Sequence, residues 1–318
     1  MGDPAGGCGP DRGCRLTSRR GVFLGAMGAV GLGVVTWVTF TFKDLNPPQA
    51  AHACVLPETD IGTFIRVPGG SFIKSADGIY PEEGSPARVH VSPFLLEVNE
   101  VTNDEFAAFV TATDYVTEAE RSHGSAQFVE AATPSDLLSW WKMDPNATWR
   151  SPAGQGSDLT AKGRLPVVHV TLNDARAYAA WAHARLPNEV EWEYAASLGL
   201  ADPDNPLSGI VSPKGEALAN IWNGIFPVIN TGDDGYVGLA PVGCFAANRI
   251  GAYDMIGNVW EWTETPYGDG SPKFTIKGGS FLCSDTYCRR YRAAARESLE
   301  PDFSTAHTGF RLVKDPPQ

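Results

Sequence analysis

The spacing of apolar and polar residues along the chain predicts three helices. Each would begin at a side chain that can cap a helix, namely Thr102, Thr171 and Asn188, and an acidic residue follows each of them three positions later, as a capping box requires. Apolar residues then recur at the spacing of one helix face, as Phe106 and Phe109 do after the first cap. We expect these aromatic residues in the core.

Short runs of β-branched and apolar residues, bounded by Gly, Pro or polar residues, predict strands. The predicted strands are 64–67, 89–96, 167–170, 275–277 and 309–313. Between residues 203 and 249 neither a helix pattern nor a strand pattern persists. A long irregular stretch inside a compact body usually carries function or is held by ions, because its backbone polar groups need partners that a ladder does not supply.

An uncharged apolar run covers residues 21–42. At 1.5 Å per residue it is long enough to cross a hydrocarbon layer of about 30 Å. Four arginines precede the run and only Lys43 follows it closely, so the positive-inside rule places the preceding residues in the cytoplasm and the rest of the chain on the far side. The pair Arg19-Arg20 also resembles a twin-arginine export signal, and the alternative is that it merely flanks a signal anchor.

The apolar run sets the predicted organisation of the chain. Proline and small residues make the stretch that follows it a linker. We predict a cytoplasmic N-terminus (1–20), a transmembrane anchor or signal segment (21–42), a linker (43–61), and one folded domain (62–318) that is membrane-anchored or exported to the non-cytoplasmic side.

Composition narrows the class of partner. The chain has 318 residues and a formal net charge of −12, and it has no Lys/Arg run beyond the N-terminus, which argues against nucleic acid. Its 24 Pro and 34 Gly residues predict a loop-rich body.

Two cysteines, Cys283 and Cys288, stand five positions apart and need a turn between them in order to meet. Two thiolates without further His or Cys are too few for tetrahedral zinc but suit a soft ion such as Cu(I), and the three arginines at 289, 290 and 292 would favour the thiolate forms. From the spacing alone a disulfide, a redox or copper pair, and two free thiols all remain open.

The segment 278–292, which reads GGSFLCSDTYCRRYR, resembles the cysteine motif of the formylglycine-generating enzyme family. The same resemblance extends to the ending PDFSTAHTGFR at 301–311. Further motifs of the family occur in the family's order: VPGGSF at 67–72, EVTN at 100–103, VHV at 168–170, RLP at 185–187, EWEYA at 191–195 and GNVWEW at 257–262. Most of these motifs are shared by relatives of other activity, so the cysteine pair is the feature that discriminates.

The resemblance implies a reaction and a set of site residues. In this family the cysteine pair binds Cu(I), the cysteine of a client protein joins as a third sulfur ligand, and O2 drives removal of a Cβ hydrogen so that formylglycine is formed. The client would be a sulfatase or a similar protein with a Cys-x-Pro-x-Arg segment. The residues implied are Cys283 and Cys288 as copper ligands, Ser280 on the oxygen side, and Trp260, Tyr287 and Arg296 as pocket walls.

Blander interpretations of these residues stay open: Ser280 as a turn hydroxyl, and Trp260 and Tyr287 as core residues. One position departs from the family, since many members have His directly after the first cysteine and this chain has Ser284. Any contribution of that imidazole is therefore absent or relocated. Cys54 and Cys244 remain available for a bridge of their own.

The family resemblance also implies two calcium sites. Composition alone favours plain turns there, and the spacing is not that of an EF-hand. The positions implied are Asn220, Ile221, Asp234 and Tyr236 for one Ca²⁺, and Asp254, Gly257, Val259 and Glu261 for a second.

The fold implied is the irregular, loop-rich α+β fold of the sulfatase-modifying factors, related to C-type lectin domains, as a single domain after the transmembrane segment. The first hypothesis is a copper-dependent cysteine oxidase whose partners are a protein substrate, O2 and, through the N-terminal segment, a membrane. The second is a non-catalytic lectin-like binding module with the two cysteines bridged. An iron-dependent sulfoxide synthase is disfavoured, since its helical His-bearing domain is missing from the sequence and His169 and His183 are too far apart for one helical ligand set.

Overall fold

The computed structural model describes residues 54–122, 124–129, 140–199, 210–212, 214–268 and 270–317. These residues all belong to one compact unit, Lys43–Gln318. Within the described ranges no helix is both long and apolar enough to span a bilayer. The predicted cytoplasmic and transmembrane segments, 1–42, and the linker up to residue 53 lie outside the described residues.

Helices are few, and loops join most elements. The described residues form the α-helices Asn103–Thr113 (α1), Glu118–Ser122 (α2), Leu172–Trp181 (α3) and Glu189–Gly199 (α4), with short 3-10 turns at Glu58–Asp60 and Pro81–Glu83.

The strands are short and form several small sheets. They are Phe64–Val67 (β1), Gly70–Lys74 (β2), Ala87–Val91 (β3), Phe94–Glu97 (β4), Ser125–Phe128 (β5), Trp141–Asp144 (β6), Gly224–Ile225 (β7), Ile229–Asn230 (β8), Trp260–Pro266 (β9), Phe274–Lys277 (β10), Arg296–Leu299 (β11), Thr308–Gly309 (β12) and Val313–Lys314 (β13). One sheet has the order β1-β4-β13 and another β11-β10-β9-β12, while β2-β3, β5-β6 and β7-β8 are two-stranded. This loop-rich mixture of helices and strands confirms the α+β composition expected from the sequence.

The three helix starts are confirmed by their caps. The Thr102 hydroxyl accepts the amide of Glu105 at 3.3 Å, and the Glu105 carboxylate accepts the amide of Thr102 at 2.8 Å. Thr171 and Asp174 form the same reciprocal pair at the start of α3. At the start of α4 the Asn188 side chain accepts the amide three residues later at 2.9 Å. Local capping rules therefore fix these helix boundaries.

Two predicted strands are each two strands in the structure, and one is absent. The stretch 89–96 divides into β3 and β4 because Pro93 has no N–H for a ladder. The stretch 309–313 divides between β12 and β13, which belong to different sheets. The prediction at 167–170 is wrong: His169 has φ of +61°, a left-handed conformation that a strand cannot continue through.

His169 holds this unusual backbone by side-chain hydrogen bonds. Its Nε2 lies 3.0 Å from the carbonyl oxygen of Pro152, which can only accept, so Nε2 carries the proton and Nδ1 accepts from the Ser125 hydroxyl at 2.8 Å. Burial lowers the pKa of His169 to about 4. The native protein therefore keeps this imidazole neutral, whereas the unfolded chain protonates it near pH 6.5.

We expect this difference to make folding acid-sensitive. Between pH 6.5 and pH 4 the unfolded state binds more protons than the folded state at this site, so stability falls as pH falls, by at most about 1.4 kcal/mol per pH unit. Denaturant unfolding at several pH values should show a shallower slope in His169→Asn, because Asn tolerates positive φ and does not titrate. Equal slopes in the two proteins would contradict this assignment.

Aromatic residues of α1 and α3 form the centre of the core. Phe106 stacks on Tyr178 with ring centroids 5.8 Å apart, and both contact Phe310, which is fully buried. Trp192 of α4 and Trp262 of β9 are buried as well. This packing holds β9 and β10 in place, and their ends carry the residues of the candidate site.

Candidate active site

The loop after β10 closes back on itself through two glycines. Gly278 and Gly279 have φ of +97° and +76°, which favour glycine. A Cβ on Gly279 would lie 2.7 Å from the carbonyl oxygen of Arg290, so only glycine lets the two ends of the loop approach this closely. The loop between them carries both cysteines.

The predicted turn between the cysteines is confirmed. The amide of Cys288 donates to the carbonyl of Ser284 at 3.0 Å, and the amide of Cys283 donates to the carbonyl of Ser280 at 2.9 Å. The carbonyl of Cys283 also accepts from the amide of Trp222 at 2.9 Å. These bonds bring the two Sγ atoms to 3.5 Å, and both cysteines are free thiols.

The two thiols share one proton unequally. The hydrogen bond with Cys283 lowers the pKa of Cys288 to about 7 against the effect of burial, and the positive charge of Arg290 contributes to the lowering. The same bond, together with burial, raises the pKa of Cys283 well above its usual range. The thiolate form is therefore favoured at Cys288, with Cys283 as the donor to it.

Of the three arginines expected to favour thiolates, one does so. Arg290 lines the cavity beside Cys288 and forms ion pairs with Glu82 and, at 2.9 Å, with Glu297. Arg292 is buried in an ion pair with Glu83, so its charge is neutralised there. The backbone of Arg289 is tied to the Tyr80 hydroxyl at 3.2 Å.

The cysteines open onto a cavity of about 220 Å³. Of the predicted pocket residues, Ser280, Trp260 and Tyr287 line it with the two cysteines. Tyr287 is 57% exposed and stacks on Phe226 with ring centroids 4.7 Å apart, so these two rings form the mouth of the cavity. Cys288 is partly exposed and Cys283 is buried, and both line the cavity together with this aromatic wall.

Arg296 does not line this cavity. Its Nε lies 2.8 Å from a carboxylate oxygen of Glu189, and its guanidinium donates to the carbonyl of Tyr267 and the hydroxyl of Thr275 at 3.0 Å each. Glu189 of helix α4 and Thr275 of β10 thus hold Arg296 outside the cavity lining. The predicted role of Arg296 as a pocket wall is not supported by this placement.

Several cavity residues were not singled out by sequence. His307 lies within the quoted 301–311 motif, and its Nδ1 is 2.9 Å from the Ser280 hydroxyl. Trp140 and Trp141 reach the cavity from the β5-β6 hairpin and Phe226 from the β7 side, and no motif marks them. Only the contact between His307 and the GGS motif could have been suspected, because both belong to recognised motifs.

The structure brings the first predicted calcium set together. Asp234 accepts the amides of Ile221 and Tyr236 at 2.8 and 3.0 Å, and burial raises its pKa to about 6. Asn220 is adjacent and buried, and its Oδ1 has no hydrogen-bond partner among the described residues. This orphaned buried oxygen, together with a buried carboxylate that accepts the amide of the next residue in the chain, fits a hard cation.

The second predicted set is already engaged. Both carboxylate oxygens of Glu261 accept from Arg311 at 2.7 Å, and one also accepts from Trp192. Asp254 accepts the amide of Gly243 at 2.7 Å. Gly257 packs against the backbone of the first set, and Val259 donates its amide to Glu100.

In the described part of the chain no three His, Cys, Asp or Glu side chains converge as metal ligands, so either calcium site would need amide or carbonyl oxygens.

Cys54 and Cys244 form a disulfide. The amides of Val55 and Leu56 both donate to the carbonyl of Gly243, at 2.8 and 3.0 Å, so the start of the described chain is tied to this loop by covalent and hydrogen bonds. The bridge that the sequence left open is therefore present.

Comparisons with known proteins agree with this architecture. Residues 51–316 match the family model of the sulfatase-modifying factor enzyme 1-like domain. A protein of Thermomonospora curvata named formylglycine-generating enzyme is 45% identical over 283 residues, covering 80% of this chain and 93% of the relative. A mouse protein named inactive C-alpha-formylglycine-generating enzyme 2 is 38% identical, covering 79% and 85%.

A solved structure shows the fold alone. PvdO from Pseudomonas aeruginosa has a TM-score of 0.59 at 22% identity, covering 84% of this chain and all of PvdO. The match to the family model and the identity to the Thermomonospora protein each extend over most of the chain. This chain therefore belongs to the sulfatase-modifying factor enzyme 1-like family.

Proposed function

We propose that this protein is an oxidase that converts a cysteine side chain of a client protein to the aldehyde of Cα-formylglycine. The observation that carries the proposal is the pair of unbridged thiols, 3.5 Å apart, on the wall of an open cavity. A relative with 45% identity is named for this activity. A second relative is named inactive, so family membership by itself leaves the activity open and the thiol pair has to support it.

The residues fit Cu(I) as the cofactor. Metal–sulfur bonds of about 2.3 Å allow one ion to contact two sulfurs that are up to roughly 4.6 Å apart, and the Sγ–Sγ separation of Cys283 and Cys288 lies within that limit. Two thiolate sulfurs are a soft donor set, which selects a soft ion. When bound, Cu(I) would supply a coordination position for the client thiolate and the means to activate O2.

The protein side chains would position the client and exclude water. Tyr287 and Phe226 offer flat apolar surfaces at the entrance, and Trp260 forms part of the cavity wall. Arg290 is the arginine of the cavity lining, and Glu82 and Glu297 each form an ion pair with it. The positive charge at the cavity is therefore offset. This suits an extended segment that carries its own Arg, such as Cys-x-Pro-x-Arg.

The overall reaction needs an electron donor. The client –CH2–SH group and O2, with two electrons and two protons from two external thiols, give a thioaldehyde and two waters. One water then adds to the thioaldehyde and hydrogen sulfide leaves, which forms the aldehyde. One C–H bond and the S–H bond of the client are broken, dioxygen is fully reduced, and the two external thiols are oxidised to one disulfide.

A direct assay tests the proposal. The purified protein is incubated with Cu(I), O2, a thiol reductant and a Cys-Thr-Pro-Ser-Arg peptide, and the products are identified by mass analysis. Aldehyde formation is expected. The oxidase proposal would be overturned if the protein forms no aldehyde although its two thiols titrate as free and are protected by Cu(I).

The alternative is a non-catalytic binding module. It is favoured by the relative named inactive. A stable bridge between Cys283 and Cys288 in the purified, oxidised protein, with no turnover after reduction, would support it.

We further propose a Ca²⁺ site at Asn220, Ile221, Asp234 and Tyr236. The orphaned Oδ1 of Asn220 and the buried carboxylate of Asp234 support it. The set at Asp254, Gly257, Val259 and Glu261 stays a prediction, because Arg311 already neutralises Glu261.

Calcium should stabilise the fold through this site. Ca²⁺ at about 100 times its Kd should raise the free energy of unfolding of the chelated protein by about 2.7 kcal/mol. Asn220→Ala should lose this increment, whereas Asn248→Ala, an asparagine outside both sets, should keep it. Thermal unfolding with and without chelator measures the change, and an Asn220→Ala protein that responds like the parent would argue against the site.

We also propose that the domain works outside the cytoplasm. The Cys54–Cys244 disulfide supports this, since such bonds persist in oxidising compartments.

A further inference from the structure

An imidazole lies in the lining of the cavity that holds the thiol pair, and no step of the reaction proposed above uses it. His307 lines the same cavity as Cys283 and Cys288, and its ring packs against Trp141 with centroids 4.8 Å apart. Its Nδ1 lies 2.9 Å from the hydroxyl oxygen of Ser280. Its carbonyl accepts the amide of Trp260 at 2.8 Å, so the backbone of His307 is held by the start of β9.

The hydrogen bonds of Ser280 can be accounted for. A hydroxyl has one proton to donate and two lone pairs that accept. The amide of Leu282 donates to Ser280 Oγ at 3.3 Å, which uses one lone pair. The direction of the hydrogen bond with His307 then decides whether the hydroxyl proton points to the ring nitrogen or to the cavity.

The ring is neutral, so Nδ1 is either a donor or an acceptor. Burial lowers the pKa of His307 to about 3. A neutral imidazole nitrogen is a good acceptor for a hydroxyl proton, and the ring's own proton then sits on Nε2. In that arrangement Ser280, a buried residue of the cavity lining, has one lone pair left.

We propose that His307 is a positioning residue that takes the hydroxyl proton of Ser280 and thereby presents Ser280 Oγ to the cavity as a hydrogen-bond acceptor. The inference rests on the proposed oxidase function. The group that such an acceptor suits is the S–H of the incoming client cysteine, which must be aimed at the site before it loses its proton. His307 would thus orient the client thiol through Ser280 without touching it.

Three substitutions separate this role from packing. In asparagine the side-chain oxygen can lie close to the place of Nδ1, in glutamine the amide lies further out, near the place of Nε2, and phenylalanine keeps the ring contact with Trp141 but has no polar atom. We expect His307→Asn to keep kcat within about 3-fold, and His307→Gln and His307→Phe to lose about 10- to 100-fold in kcat. The KM for the peptide should change by less than about 3-fold in all three, because the entrance is unaltered.

A second measurement does not depend on turnover. In the reduced, copper-free protein the ¹⁵N resonance of His307 Nδ1, assigned by its loss in His307→Asn, should be that of an unprotonated ring nitrogen. It should shift in Ser280→Ala, since the hydroxyl bonded to it is removed. If His307→Phe does not fold, His307→Gln gives the same comparison.

The outcomes are distinct. The inference would be overturned by any of three results. These are equal activity of His307→Phe and wild type, equal loss of activity in His307→Asn and His307→Gln, and a protonated Nδ1. If the wild-type protein forms no aldehyde, the oxidase proposal fails, and the resonance measurement still decides whether the ring holds the Ser280 proton.

Discussion

Replacing either Cys283 or Cys288 with serine should abolish aldehyde formation, with a loss of turnover of about a thousandfold or more. Each sulfur supplies half of a two-thiol site whose atoms are 3.5 Å apart, and a serine hydroxyl is a hard, protonated donor that a soft ion disfavours. Mass analysis of the peptide product under excess enzyme measures the loss. Copper binding should fall in parallel.

The exposed residue Thr286 provides the control. It lies in the same turn, between the cysteines, and its contacts do not reach the cavity. Thr286→Ala should retain activity close to that of the parent, which separates loss of a thiol from disturbance of the loop. A serine variant that keeps more than about a tenth of the activity would remove the basis for a two-sulfur site.

Replacing Arg311 with leucine should destabilise the domain by about 3 to 5 kcal/mol. The guanidinium is fully buried, pairs with both carboxylate oxygens of Glu261, and donates to the carbonyl of Tyr253 at 3.0 Å. Glu100 and Asp254 lie close enough to interact with the same charge, and burial raises the pKa of Glu100 well above its usual range. Without Arg311 this acidic group loses the buried guanidinium that pairs with it.

Arg185→Leu is the matched control. Its side chain is 38% exposed and pairs with Glu191 and with Asp315, which is itself largely exposed. Pairs of this kind contribute about 0 to 1 kcal/mol. Urea unfolding of both variants measures the contrast, and equal destabilisation would show that Arg311 is not a special buried counter-ion.

The sequence predicts well what local rules decide. The helix starts at Thr102, Thr171 and Asn188 are correct because a capping box needs only two residues three positions apart. The strand predicted at 167–170 fails because the conformation of His169 depends on Ser125 and Pro152, which are far away in the sequence. The division of the strand predicted at 89–96 follows from the sequence itself, because Pro93 has no N–H for a ladder.

The candidate site shows the same limit. Family motifs pointed to the cysteine loop, Ser280 and Trp260, and the structure places all of them on one cavity. Trp140, Trp141 and Phe226 come from separate hairpins whose packing no local pattern encodes. Arg296 lies outside the cavity lining and pairs with Glu189, which belongs to a helix about a hundred residues earlier in the chain, so no local pattern could indicate this contact.

The link between Cys54 and Cys244 determines where mechanical load enters the domain. Cys54 precedes the first strand, so a pull on the polypeptide upstream of it passes through the sulfur atoms into the loop at Cys244 as well as along the backbone toward Phe64. The β1-β4 pairing is thereby shielded from peeling. Force applied upstream of Cys54 would therefore reach the loop at Cys244 before it acts on the first sheet.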